Sequence, residues 1–174
     1  GYADLLVGSP SWNAGAGAIF IYRGGPNLDT TPDYVVLGHN GQPGHYRRGI
    51  GGFDIARGDV NGDGREDWMT NVVIGAPCYY RIEIYYGKSD FDTVPDYFIY
   101  NPSNSPTGFG AVIRSGGDVN GDGYDDILVG EPGLNRILLY RGGPPPDTTP
   151  FWILYGNSNS PIGNGDCAIN TDLN

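Results

Sequence analysis

The sequence predicts an all-β chain of three four-stranded antiparallel, blade-like repeats, closed as a β-propeller or stacked in a line. Three observations predict it: an acidic nine-residue loop that recurs, four strand-like segments that follow each copy in one order, and the composition. Thirty glycines and fourteen prolines mark many tight turns, and 39% hydrophobic residues argue against disorder. Thirteen tyrosines and one methionine fit a β-rich chain. No window carries a long 3.6-residue apolar period with helix caps.

The loop comes first because it sets the repeat. One copy runs Asp59-Val60-Asn61-Gly62-Asp63-Gly64-Arg65-Glu66-Asp67, and a second runs Asp118-Val119-Asn120-Gly121-Asp122-Gly123-Tyr124-Asp125-Asp126. Oxygen-bearing side chains fall at loop positions 1, 3, 5 and 9, with glycines at 4 and 6. Calcium takes six to eight oxygens from a tightly curled backbone, alternate residues of such a curl point inward, and position 7 can add a carbonyl. The expected ligands are therefore Asp59, Asn61, Asp63, Asp67 and the Arg65 carbonyl, then Asp118, Asn120, Asp122, Asp126 and the Tyr124 carbonyl. A plain Asn-Gly or Asp-Gly turn would need no third carboxylate. Asp172-Leu173-Asn174 matches positions 1 to 3, and Gly1-Tyr2-Ala3-Asp4 matches positions 6 to 9. Asp172, Asn174 and Asp4 are thus expected to belong to one divided loop, as in an excerpt of a longer array or a subunit whose ends meet across a junction.

The first segment after each loop is an apolar run ending in Gly-x-Pro: Leu5 to Pro10, Val72 to Pro77 and Ile127 to Pro132. The second ends in tyrosine: Ile19 to Tyr22, Ile82 to Tyr85 and Ile137 to Tyr140, with glycine turns such as Arg23-Gly24-Gly25 and Arg141-Gly142-Gly143 behind it. The third opens on Asp-Thr-x-Pro at Asp29, Asp92 and Asp147. The fourth leads into the next loop, over Ile50 to Ala56, Phe109 to Ile113 and Ile162 to Ala168. Short runs rich in β-branched and aromatic residues, bounded by Gly, Pro, Asn or Asp, are strand signals. Phased from loop to loop, the repeats are 1–58, 59–117 and 118–174. Four such strands cannot bury both sheet faces alone, so neighbouring repeats must cover them. Trp68-Met69-Thr70-Asn71 reads as an insertion between the first intact loop and its strand.

A formal charge of -10 with a single lysine, Lys88, excludes a nucleic-acid partner, which needs a basic face. Eight of the twenty acids lie in the two intact loops, where divalent cations would offset them. No stretch has the apolar length of a membrane span. Cys78 and Cys167 could pair or stay free, and His39 and His45 read as solvated loop residues. Arg57-Gly58-Asp59 spells an adhesion tripeptide, but a carboxylate that holds a cation is not free for a receptor, so it reads as a chance match. No Gly-x-Ser-x-Gly or His-Glu-x-x-His motif is present. Trp12, Trp68 and Trp152 read first as blade core and second as sugar-stacking surfaces.

These residues resemble the FG-GAP repeats of integrin alpha-subunit propellers and bacterial surface proteins. Phe109-Gly110 before a loop, Gly75-Ala76-Pro77 after one, and the acidic loop between such signatures carry the resemblance. Ile50-Gly51 and Ile162-Gly163 stand for Phe-Gly in the other repeats, and Ser9 and Glu131 stand where the signature has alanine. The resemblance implies propeller-type blades, calcium held at the loop positions named above, and an extracellular setting. An EF-hand is excluded, because position 12 is Thr70 or Val129 rather than glutamate and strands flank the loops. The expectation is a non-enzymatic extracellular or cell-surface scaffold that binds Ca2+, for adhesion or filament structure. Its expected partners are neighbouring repeats or copies of itself, head to tail, with a protein or glycan ligand. The competing readings are a carbohydrate-binding module and a non-catalytic part of a secreted hydrolase or lyase.

Overall fold

A computed structural model of the chain describes residues 2–27, 29–38, 50–74, 79–157, 159 and 161–163. Among these, eleven strands form three antiparallel sheets, each a simple meander. The first sheet holds β1 (Leu5–Ser9), β2 (Ala18–Tyr22) and β3 (Tyr34–Leu37). The second holds β4 (Ile50–Gly58), β5 (Asp67–Ile74), β6 (Tyr79–Tyr85) and β7 (Tyr97–Tyr100). The third holds β8 (Val112–Arg114), β9 (Ile127–Glu131), β10 (Arg136–Tyr140) and β11 (Trp152–Tyr155). Helical structure is confined to one irregular turn at Trp12–Gly15 and a 3-10 turn at Pro132–Leu134.

The sheets are offset by one strand from the loop-to-loop phasing. Segment four pairs forward, β4 with β5 across the first intact loop and β8 with β9 across the second. A loop this short returns the chain antiparallel beside the strand it left. Residues 68–71 are not an insertion before the strand. They lie inside β5, which begins at Asp67 itself. In every sheet the residue after loop position 9 pairs with the segment-two tyrosine: Leu5 with Tyr22, Trp68 with Tyr85, Ile127 with Tyr140. The extra residues therefore lengthen the hairpin at its far end and leave the loop undisturbed.

The third segment turns before it extends. Asp29 accepts the Thr31 N–H at 2.7 Å and Asp92 that of Val94 at 2.9 Å, and the strand starts after the proline. Such aspartate-capped turns close locally what the ladder cannot yet bond.

The core is two layers between three sheets. Ile19, Ile21, Val36, Trp68, Val72 and Tyr85 pack between the first and second sheets. Val60, Met69, Ile82, Ile84, Phe109, Ile127, Leu138 and Tyr140 pack between the second and third. Strand period explains the split: Trp68 and Val72 face one way and Met69 the other. β5 is buried on both faces from Asp67 to Val72, so that even its polar residues Asp67, Thr70 and Asn71 are inside. Trp68 stacks on Tyr85 at 3.9 Å and 4°, and Phe109 meets Tyr140 edge-on at 6.4 Å. The outward faces stay apolar and exposed, at Leu5 and Val7 on β1 and at Trp152 to Tyr155 on β11. No helix among the described residues is long and apolar enough to cross a membrane.

Candidate metal centres

The two intact loops are the β4–β5 and β8–β9 connections, and they curl alike. Asp59 accepts the N–H of Asp63 at 3.0 Å on one oxygen and that of Gly64 at 2.8 Å on the other. Asp118 accepts those of Asp122 at 3.1 Å and Gly123 at 2.7 Å. Position 5 accepts from position 7: Asp63 from Arg65 at 2.9 Å, Asp122 from Tyr124 at 3.1 Å. The sixth-position glycines, Gly64 and Gly123, take φ of +83° and +93°, open to glycine at little cost. Position 3 differs between copies. Asn61 accepts the Asp63 N–H at 2.9 Å, whereas the Asn120 amide donates to Asp126 at 2.9 Å.

Position 9 is wired the same way in all three sheets. Asp4 accepts the N–H of Gly24 at 2.7 Å, Asp67 that of Gly87 at 2.8 Å, and Asp126 that of Gly142 at 3.2 Å. Each glycine lies two residues past the tyrosine that ends segment two. A Cβ there would sit 2.0–2.5 Å from the carbonyl of loop position 8, at Ala3, Glu66 and Asp125. Asp67 and Asp126 are fully buried and also accept main-chain N–H groups of their own loops. Burial pushes the Asp67 carboxyl up to about 6, against the pull of the Gly87, Asn61 and Val60 amides, with Asp63 adding repulsion. Burial raises Asp126 likewise, and Asp122 adds to it. Exposed Asp118 is lowered, chiefly by the Gly123 N–H.

These loops fit a hard divalent cation in donor chemistry. Their side-chain oxygens come from carboxylates and one amide, and the repulsion between positions 5 and 9 is what a cation would relieve. Among the described residues no three acidic, histidine or cysteine side chains are gathered as a ready-made metal cage. The carboxylates grip main-chain amides. Arg57-Gly58-Asp59 is the end of β4 running into the first loop, with Gly58 buried. Of the tryptophans, Trp68 is core, while Trp12 and Trp152 are about half exposed. Asp172, Asn174, His39, His45, Cys78 and Cys167 lie outside the described residues.

Sequence reasoning passed over what joins one loop to the next. Asp125, at position 8, accepts the Asp59 N–H at 2.8 Å and donates its own N–H to the Asp59 carbonyl at 3.1 Å. Gly143 donates to the Val60 carbonyl at 2.7 Å. The Tyr124 ring lies so close over Gly62 that a Cβ there would be 2.6 Å away. The available signal was an acid at position 8 of both loops, Glu66 and Asp125.

Residues 109–144 match the profile of the FG-GAP repeat family. The chain is 29% identical to integrin alpha-5 of Xenopus laevis over 83% of its own length and 14% of the relative's. It is 28% identical to integrin alpha-IIb of Mus musculus, over 83% and 15%. It is 32% identical to integrin alpha-3 of Mus musculus, over 79% and 13%. It spans about one seventh of the length of these curated relatives.

Proposed function

The chain belongs to the FG-GAP repeat family, and from that premise we propose that it is a non-catalytic, calcium-binding β-repeat scaffold of the cell surface or extracellular space, serving adhesion or surface structure. The loop-to-loop repeats 1–58, 59–117 and 118–174 are its units. The observation that carries the reading is the repeated loop: two copies curl around an aspartate at position 1 and bury an aspartate at position 9 whose carboxyl is raised by that burial and, further, by the charge at position 5. Asp59, Asn61, Asp63, the Arg65 carbonyl and Asp67 would hold one Ca2+. Asp118, Asn120, Asp122, the Tyr124 carbonyl and Asp126 would hold a second. Asp4 would join Asp172 and Asn174 in a third. Bound calcium supplies charge neutralisation, and the protein supplies the curl and the anchoring of position 9 to the following turn.

Calcium that binds only the folded state stabilises it by about 2.7 kcal/mol per site when present about 100-fold above Kd. Excess EDTA should lower the melting temperature, and Asp63→Ala with Asp122→Ala should remove the part of that response that comes from the two intact loops. An unchanged melting temperature in EDTA would refute the calcium reading.

A further inference from the structure

Both intact loops read Asp-Val-Asn-Gly-Asp-Gly from position 1 to position 6, so each carries an asparagine followed by glycine, Asn61-Gly62 and Asn120-Gly121. Such a step has a chemistry of its own. The glycine nitrogen, unhindered by a side chain, can attack the asparagine carboxamide carbon and expel ammonia, leaving a cyclic imide. Water then opens the imide at either carbonyl, to aspartate or to isoaspartate. The balance takes in one water and releases one ammonia. Because the two local sequences are identical, any difference in rate belongs to the fold.

The two loops hold the reacting groups differently. In the second, the Asn120 amide donates to both oxygens of Asp126, at 2.9 and 3.2 Å, and the Gly121 N–H donates to Asp118 at 2.6 Å. Leaving group and nucleophile are both tied to carboxylates, and these bonds must break before the ring can close. In the first, the Gly62 N–H and the Asn61 amide nitrogen donate to no partner among the described residues. The Asn61 carbonyl oxygen accepts the Asp63 N–H at 2.9 Å, which draws electron density from the carbon under attack. Against this, the Tyr124 ring covers Gly62 so closely that a Cβ there would lie 2.6 Å away, whereas nothing stands within 4 Å of one at Gly121. A few dispersion contacts restrain less than hydrogen bonds to carboxylates do, so Asn61 is the more reactive. Gly62 is exposed, and water reaches the imide there.

We propose that Asn61 is a modification site, deamidating through an imide with Gly62 while the fold protects Asn120, and that the product resets the first loop. Aspartate at position 3 adds a fourth carboxylate beside Asp59, Asp63 and Asp67, and calcium loops tighten with ligand charge. Isoaspartate routes the main chain through the former side chain and lengthens it by a methylene, which displaces the Asp63 and Gly64 N–H groups from Asp59. The first loop thus carries a mark of chain age that the second does not. The effect on calcium rests on the scaffold reading, and the site itself does not.

The test is incubation of the full chain at neutral pH in EDTA, followed by peptide mass mapping with isoaspartate detection. Asn61 should convert at least about tenfold faster than Asn120, the factor for one hydrogen bond to a charged group. Isoaspartate should be among the products, as the mark of an imide. In concentrated urea the two positions should convert at the same rate. Conversion of Asn120 as fast as Asn61 in the folded chain would overturn the proposal, and so would resistance at both positions or a difference that persists in urea. Calcium titration of the wild type and of Asn61→Asp measures the consequence, and the variant should bind the first calcium more tightly. If neither chain binds calcium while Asn61 still outpaces Asn120, the calcium reading fails and the modification site stands.

Discussion

At the scale of single residues, loop position 9 and the glycine it bonds behave as one unit. Asp126 is fully buried and accepts from Gly142, while Gly142 lies against the carbonyls of Asp125 and Val60. A methyl at Gly142 would lie 2.5 Å from the first and 2.9 Å from the second. Backbone cannot yield as a flexible side chain does, so Gly142→Ala should lose about 1–3 kcal/mol, as overpacking does. Urea unfolding measures this, and wild-type stability would mean the loop and turn separate freely. Glu131 is the second instructive residue. It stands where the family signature has alanine, and it is fully buried.

At the scale of elements, Glu131 on β9 faces Arg136 on β10 in register, with 2.6 Å between carboxylate and guanidinium. Ser103 donates to the same carboxylate at 2.8 Å, and Thr107 does so as well, tying the segment after β7 to the third sheet. A buried ion pair contributes little over an apolar pair, but a buried charge without its partner is costly. Glu131→Ala should destabilise by about 3–5 kcal/mol, and Glu131→Leu with Arg136→Met should recover most of it. Denaturant midpoints of the single and double variants measure both. The second sheet holds a related pair, Arg81 with Glu83 at 2.5 Å, which the Tyr85 hydroxyl joins at 2.8 Å. There the partners share one strand, so the third sheet is the place where removing an acid also loosens a hairpin.

At the scale of the molecule, stability is graded across the stack. β5 is buried on both faces between two apolar layers, while β11 has every residue exposed and β1 has Leu5 and Val7 exposed. Local opening follows burial and contact, so amide exchange should be slowest in β5, β6 and β9 and fastest in β1 and β11. Native-state hydrogen exchange checks this order, and uniform protection would mean the exposed end faces are covered in solution. The clasps from Asp125 and Gly143 to the first loop join the sheets on the loop side, so neighbouring loops should lose protection together when calcium is removed.

Much of this was legible in the sequence because it repeats. Oxygens and glycines at matching positions announced the loops, the Asp-Thr-x-Pro boxes announced the turns, and runs ending in Tyr22, Tyr85 and Tyr140 announced the strands. Local chemistry determines each of these, since a curl, an aspartate-capped turn and a β-rich run depend on residues a few positions apart. Three things waited for the tertiary structure: the pairing of segment four with the following strand, the membership of residues 68–71 in β5, and the clasp from Asp125 to Asp59. Asp125 and Asp59 are far apart along the chain, and only packing one sheet on the next brings that carboxylate to that N–H. Periodicity says that Trp68 and Met69 face opposite ways. Which layer receives each is decided by the neighbour that buries it, because a strand's two faces are equivalent until sheets close over them.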